Sequence, residues 1–187
     1  MTTRGILHMA LLLCFSTTAL SRSYNLLHFQ QRSSKLVCQK LLQQLNGTLE
    51  ACLKDRVNFK IPEEIKQPQH FQKEDATLVI YEMVQQIFGI LRRKVSNTGW
   101  NETIIENLLS ELYQQMDHLE TILEEDLEEE NASRGTMRTI LHLKGYYFRI
   151  LRYLRAKDFS SCAWTIVRIE LLRNFSFIGR LTDCLHE

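Results

Sequence analysis

Covalent and coordination chemistry in this chain would fall to five cysteines and six histidines, and neither set is spaced for catalysis. His8, His28, His70, His118, His142 and His186 form no H-E-x-x-H pair or other ligand spacing, and there is no C-x-x-C, Gly-rich phosphate loop or G-x-S-x-G turn. Cys38 or Cys184 as a nucleophile would need a general base at a defined spacing, and nothing supplies one. No catalytic residue, cofactor or metal is therefore expected. What remains is cross-linking by cysteine and N-linked modification at four N-x-S/T sequons, Asn46, Asn101, Asn131 and Asn174.

Both chemistries belong outside the cytosol, and the first residues agree. Arg4 precedes an apolar run, Ile6 to Phe15, and Ala19 and Ser21 put small residues at the −3 and −1 positions of a cleavage site. The run is shorter than the roughly 20 apolar residues that span a bilayer. Residues 1–21 are expected to be a signal peptide carrying Cys14 away, and 22–187 one secreted, extracellular domain. No later run is long enough to enter a membrane. Of the 23 Lys and Arg, Arg4 leaves with the leader, so the remainder balances the 22 Asp and Glu. So even a charge gives no global field to recruit nucleic acid or an anionic membrane. Charge is segregated locally, with Glu124 to Glu130 acidic and Arg149, Arg152, Arg155 and Lys157 basic.

The elements that position these residues are helices. Apolar residues recur at three-and-four spacing, and no run alternates with period two. Helix A is expected over about Tyr24 to Leu45, with Leu26, Phe29, Leu36, Val37, Leu41 and Leu45 inward and Asn46-Gly47 as its stop. A connection of about 25 residues follows, holding Pro62 and Pro68; connections so long tend to be functional. Helix B (about Phe71 to Arg93) buries Ile80, Met83, Val84, Ile87 and Leu91. Helix C (about Asn101 to Glu129), capped by Asn101, carries a seam of Ile105, Leu108, Leu112, Met116, Leu119, Leu123 and Leu127. Helix D (about Thr136 to Lys157) buries Ile140, Leu143, Tyr147, Ile150 and Leu154, and helix E runs from about Ser161 to Leu185. One long connection followed by short ones implies that two neighbouring helices run the same way. The fold class is all-α, a five-helix cytokine-type bundle with a long A–B crossover.

Helix E spends apolar residues outside the core. Trp164, Val167, Leu171, Phe175 and Ile178 share its inward face, while Ile169 falls opposite, flanked by Arg173 and, further round, by Leu172 and Arg168. Apolar residues rimmed by arginine read as a binding hot spot. The same wheel puts Asn174 at the edge of the core stripe, so its sequon is expected to be bare. Asn101, at a helix mouth after a polar link, is the best candidate for a glycan; Asn46 and Asn131 are further candidates.

The four cysteines beyond the leader allow three complete pairings. If helix A runs up and helix E down, Cys52 and Cys162 share one end, and a bridge would clamp the long connection to helix E. Cys38 would then lie about 22 Å along helix A, away from Cys184, so these two would remain thiols, or Cys184 would pair between molecules.

Several stretches also match a known family. Ser23-Tyr24-Asn25-Leu26-Leu27, Cys52-Leu53-Lys54-Asp55-Arg56, Phe71-Gln72-Lys73-Glu74-Asp75, Thr98-Gly99-Trp100-Asn101-Glu102-Thr103 and Cys162-Ala163-Trp164-Thr165-Ile166-Val167-Arg168 are similar to the type I interferons, most closely the beta subtype, over essentially the whole chain. The resemblance implies the interferon five-helix fold and a Cys52–Cys162 bridge. It implies a secreted cytokine that pairs the two chains of the type I interferon receptor to trigger receptor-associated kinase (JAK/STAT) signalling and an antiviral, antiproliferative response. It places the high-affinity chain on Leu53, Arg56, Arg168, Ile169, Leu172 and Arg173, and the low-affinity chain on Phe88, Ile104, Tyr113 and Lys144. A monomer is expected. Gly145 stands where this subtype tends to carry a basic residue, Cys184 departs from the family pattern, and the additional sequons imply heavier glycosylation. The other binding class open to such a bundle is a secreted carrier of lipid or another apolar ligand, which would need an apolar cavity.

Overall fold

A computed structural model describes residues 2–93, 95, 98–126 and 133–186, with the backbone alone over 2–21 and at 126. Leu127 and Asn131 lie outside the described residues. The long helices in chain order are α1 (Thr2–Gln44), α3 (Lys73–Leu91), α4 (Glu102–Asp126), α5 (Arg134–Ala156) and α6 (Ser161–Asp183). The connection after α1 holds a 3-10 turn at Glu50–Asp55, the single-turn α2 (Glu63–Lys66) and a second 3-10 turn at Pro68–His70. No strand occurs among the described residues.

Side-chain contacts fix the directions. Trp100 Nε1, just before α4, donates to the Asn46 carbonyl just after α1 at 2.8 Å, so α1 and α4 run antiparallel. The Lys73 ammonium at the start of α3 lies 5.0 Å over the ring of Tyr24, midway along α1, and the short link from α3 to Trp100 brings its other end toward Asn46, so these two run parallel. That parallel pair is what the long connection makes possible. One cluster of buried side chains fills the interior, with Trp164, Tyr146, Tyr147, Phe175, Leu42 and Met83 among its largest members.

The expected inward faces of helices B and D hold residue for residue: Ile80, Met83, Val84, Ile87 and Leu91, then Ile140, Leu143, Tyr147, Ile150 and Leu154, are all buried. On α6, Trp164, Val167, Leu171, Phe175 and Ile178 are buried as the wheel places them. On α4, Ile122 is buried and Leu123 only half-buried, a small rotation of the expected seam.

Helix α1 is the correction. Leu26, Phe29, Leu36 and Val37 face solvent, Phe29 at 71% exposure, and the buried set is Tyr24, Leu27, Gln31, Ser34, Cys38, Leu42 and Leu45. The helix offers two stripes, and the greasier one is outside. The inner stripe is apolar at its ends and interrupted midway by Gln31, Ser34 and Cys38, where α4 presses on it: Ser34 donates to Glu111, and Gln115 Nε2 reaches Cys38 Sγ at 3.3 Å. Hydrophobicity alone picks the wrong face when the true one carries cross-helix hydrogen bonds. Burial and the nearby Glu111 push the Cys38 thiol far above its usual range, so it stays protonated and inert.

The end of α1 is held by side chains from α6. Arg168 donates to the carbonyls of Leu42 (3.3 Å), Leu45 (2.8 Å) and Gly47 (2.6 Å), satisfying acceptors that a helix C-terminus leaves without partners. Gly47 itself sits at φ +120°, and a Cβ there would collide with the Thr165 hydroxyl. The stop signal read from Asn46-Gly47 is thus a requirement of close packing as well as of backbone sign.

The register of α1 is testable by a pair of substitutions. Leu27→Ala should cost about 2–5 kcal/mol, as for other buried leucines, whereas Phe29→Ser should stay within about 0.5 kcal/mol of the parent. Denaturant unfolding followed by circular dichroism measures both; a larger loss at Phe29 would restore the greasier face to the core.

Candidate receptor-facing surfaces

The connection between α1 and α3 is fastened along its length to α5 and α6. Cys52 and Cys162 are joined by a disulfide with Cα atoms 5.2 Å apart. Lys157 pairs with Asp55 at 2.8 Å, and Tyr153 donates its hydroxyl to the Asp55 carbonyl at 2.8 Å. Arg149 donates to the carbonyls of Phe59 (3.1 Å) and Lys60 (2.9 Å), and the Phe59 ring meets Tyr153 edge-on. His142 reaches Glu64 at 2.8 Å, and Arg180 donates to the Lys66 carbonyl at 3.1 Å. Cys184 Sγ lies against the Pro68 carbonyl at 3.4 Å and is not bonded to Cys38.

The sequence marks Arg149 and Lys157 only as part of a local run of positive charge and does not single out Tyr153. The signal was present. Arg149, Tyr153 and Lys157 recur every four residues and so form one stripe on α5, and that stripe holds the loop. Burial, then the charge of Asp55, raises the Tyr153 hydroxyl to about 12, so it remains a donor at any physiological pH.

With the loop held, a shallow cleft opens between it and α6. Arg56 and Val57 line one side, Ile169, Glu170 and Arg173 the other, with Phe59 and Ile166 beneath. Arg56 and Arg173 are exposed, and Leu53 projects into solvent nearby in sequence at 56% exposure. Ile169 and Leu172 are half-buried, less outward than the helical wheel implies, because the loop covers part of one and the core takes the edge of the other. Arg168 is turned instead to the end of α1, and burial lowers its pKa. The structure therefore brings Arg56, Ile169 and Arg173 together and gives Arg168 a structural task.

Glu170 belongs to this surface although no pattern in the sequence singles it out. Its carboxylate pairs with Arg173 at 3.7 Å and accepts from the Tyr146 hydroxyl at 2.6 Å. Arg173 and Arg180 also stack on Phe177, at 5.4 and 4.7 Å, so the arginine edge packs as well as charges the surface.

The second group of residues is spread over α3, α4 and α5. Phe88 is half-buried with the Arg92 guanidinium 5.4 Å over its ring, Ile104 is half-buried, and Tyr113 is exposed. Lys144 is exposed and 3.8 Å from Glu82 on α3. Gly145 lies beside it in open space, where a Cβ would meet only Arg149 Nη1 at 3.7 Å.

Of the sequons, Asn46 and Asn101 are exposed, and Asn101 Oδ1 caps α4 by accepting from Ile104 N at 3.3 Å. Asn174 is fully buried. Its amide donates to the Tyr146 hydroxyl (2.7 Å) and the Glu170 carbonyl (2.8 Å), and its oxygen accepts from Tyr147 (2.5 Å). Burial drives both tyrosines well above their ordinary range, so both act as donors throughout. Glycopeptide mapping of protein from mammalian cells should find Asn174 unmodified. Asn174→Ala should cost about 2–3 kcal/mol by stranding buried hydroxyls, read as a lower unfolding midpoint; a glycan on Asn174 in folded protein would contradict this packing.

Comparison with known proteins gives the same picture. A family model described as Interferon alpha/beta domain matches residues 27–185. The chain is 68% identical to interferon beta of Macaca fascicularis and 67% identical to interferon beta of Homo sapiens, each over 99% of both chains. Against interferon beta of Mus musculus it is 48% identical over 97% of both. Among solved structures, zebrafish interferon 1 superposes with a TM-score of 0.68 at 13% identity, covering 82% of this chain and 95% of that one, a likeness of fold. This full-length match to signalling cytokines leaves the lipid-carrier alternative unfavoured. The chain belongs to the interferon alpha/beta family, with its relatives in the beta subtype, and is a type I interferon: a signalling cytokine and not an enzyme.

Proposed function

We propose that the chain is secreted after loss of residues 1–21 and acts as a monomer that draws two different receptor chains together, so that the kinases they carry activate one another. Family membership supports binding to type I interferon receptor chains. Among the described residues no helix is long and apolar enough to cross a membrane. The observation that carries the reading is the cleft in which Arg56, Ile169 and Arg173 meet. It is partly apolar, edged by arginine, and built on a loop already immobilised by a disulfide and by α5 side chains. A surface held in its bound shape avoids the entropy cost of ordering a 25-residue loop on association. The high-affinity receptor chain is assigned to this face, through Leu53, Arg56, Ile169, Leu172 and Arg173. The low-affinity chain is assigned to the α3–α4–α5 face, through Phe88, Ile104, Tyr113 and Lys144.

The two arginines separate contact from scaffold. Arg56→Ala should weaken binding to the isolated high-affinity ectodomain by more than about 2 kcal/mol, roughly thirtyfold, with unchanged thermal unfolding. Arg168→Ala should lose affinity together with a few degrees of Tm, because three carbonyls lose their donor. Surface plasmon resonance against each ectodomain, alongside calorimetry, measures both effects. Full affinity in Arg56→Ala would remove this cleft from the interface.

A further inference from the structure

The C-terminal end of the chain is laid against α1. Leu185, in the closing 3-10 turn Cys184–His186, is buried in the core, and the turn carries His186 to His28 on α1. The two ring centroids are 5.2 Å apart and the planes cross at 64°. His186 is exposed and His28 half-buried, so solvent reaches the pair. Among the described residues no hydrogen bond engages either ring. Besides His186, the titratable side chains that act on His28 are Arg32, one turn along α1, and Asp183, one turn before His186, both exposed.

A pair of imidazoles in this arrangement is half of a metal site. A neutral ring keeps a lone pair on one nitrogen, and zinc takes such nitrogens at about 2.0–2.1 Å in tetrahedral geometry. Two imidazoles on one tetrahedral zinc therefore stand with centroids roughly 5 Å apart, the separation seen between His28 and His186. At the right angle of a square-planar ion they would stand closer, and calcium or magnesium would call for oxygen ligands. Histidine χ2 wells are broad, so small rotations suffice to aim one nitrogen of each ring at a common point. No three ligating side chains stand assembled among the described residues. The site is thus a two-histidine clip completed by water, with the Asp183 carboxylate offsetting the charge of the ion and Arg32 opposing it.

We infer that His28 and His186 bind a zinc ion that clips the C-terminal turn to α1. The ligands come from α1 and from the last turn of the chain, so only the folded protein brings them together, and zinc bound there adds to stability by mass action. Cys184, in the same turn, holds its sulfur 3.4 Å from the Pro68 carbonyl, so the clip also steadies the last part of the long connection. Extracellular zinc then sets how firmly this end of the bundle is closed. The clip does not depend on the receptor reading.

The test uses protein secreted from mammalian cells carrying the full-length chain, stripped with a chelator and titrated with zinc chloride against a fluorescent zinc indicator. His28→Gln and His186→Gln should each weaken zinc binding at least about tenfold. Asp183→Asn should weaken it about threefold and Arg32→Gln should tighten it; these two keep both ligands and test the ion by charge alone. His142→Gln, which removes the histidine paired with Glu64, should stay within about twofold, as should Cys184→Ser. Zinc at about a hundredfold over its dissociation constant should raise the Tm of the parent by several degrees and slow amide exchange in Cys184–His186. Neither effect should survive in His28→Gln, and circular dichroism in chelator confirms that each variant is folded. Absence of a saturable site tighter than about 0.1 mM, an equal loss in His142→Gln or Cys184→Ser, or a Tm rise that persists in both ligand variants would overturn the inference. High-affinity ectodomain binding, measured in parallel, reports on the receptor reading alone.

Discussion

Everything functional on this molecule depends on the attachment of one long connection to the helices it crosses. The connection must return the chain from the far end of α1 to the start of α3, so that two neighbouring helices run parallel. It could have been a loose strap. Instead the Cys52–Cys162 bond closes a separation of 110 residues, a loop of the size for which the chain-entropy model gives about 4–5 kcal/mol. Side chains of α5 then grip successive carbonyls, and Arg168 joins the end of α1 to the start of α6. The bundle and the proposed contact face are in this sense one object.

The polar residues in the interior extend the same economy of structure. Tyr146, Tyr147, Asn174 and Glu170 form a hydrogen-bonded group between α5 and α6 that ends at the surface in Arg173. On the other side of α5, Lys144 meets Glu82 of α3. Neighbouring residues of one helix therefore look toward both of the candidate contact surfaces. Groups buried this deeply hold only with every partner in place, which fixes the rotation of α5 and α6 more tightly than apolar packing alone. The sequon at Asn174 is subordinate to that packing: the side chain a glycan would need is spent inside.

Gly145 shows how one departure from the subtype's tendency alters a surface without altering the fold. A helix-interior glycine costs about 1 kcal/mol relative to alanine, and α5 has ample burial to absorb it. What it changes is access. The absent side chain leaves Arg149 Nη1 uncovered on the side of Gly145, beside the groove between α5 and the loop.

The bundle class was legible from period, because the seams of α3, α5 and α6 are apolar at three-and-four spacing. The seam of α4 was nearly so. The Cys52–Cys162 pairing was within reach of a topological argument, since a helix running up and another running down place both residues at one end. The helical wheel put Asn174 at the edge of the core stripe, and the folded chain buries it fully. What the sequence did not decide is which of two stripes on α1 faces inward, since the inner one is interrupted by Gln31, Ser34 and Cys38, and the partners that Ser34 and Cys38 find on α4 lie far along the chain. Nor did it decide that Arg168 would serve the end of α1 while Arg56, Ile169 and Arg173 converge, or that the basic run of α5 would divide between loop anchors and unpaired cations. Periodicity reports how one helix distributes its side chains; which of them meet is set by neighbours far along the chain, and only the folded arrangement brings those neighbours into reach.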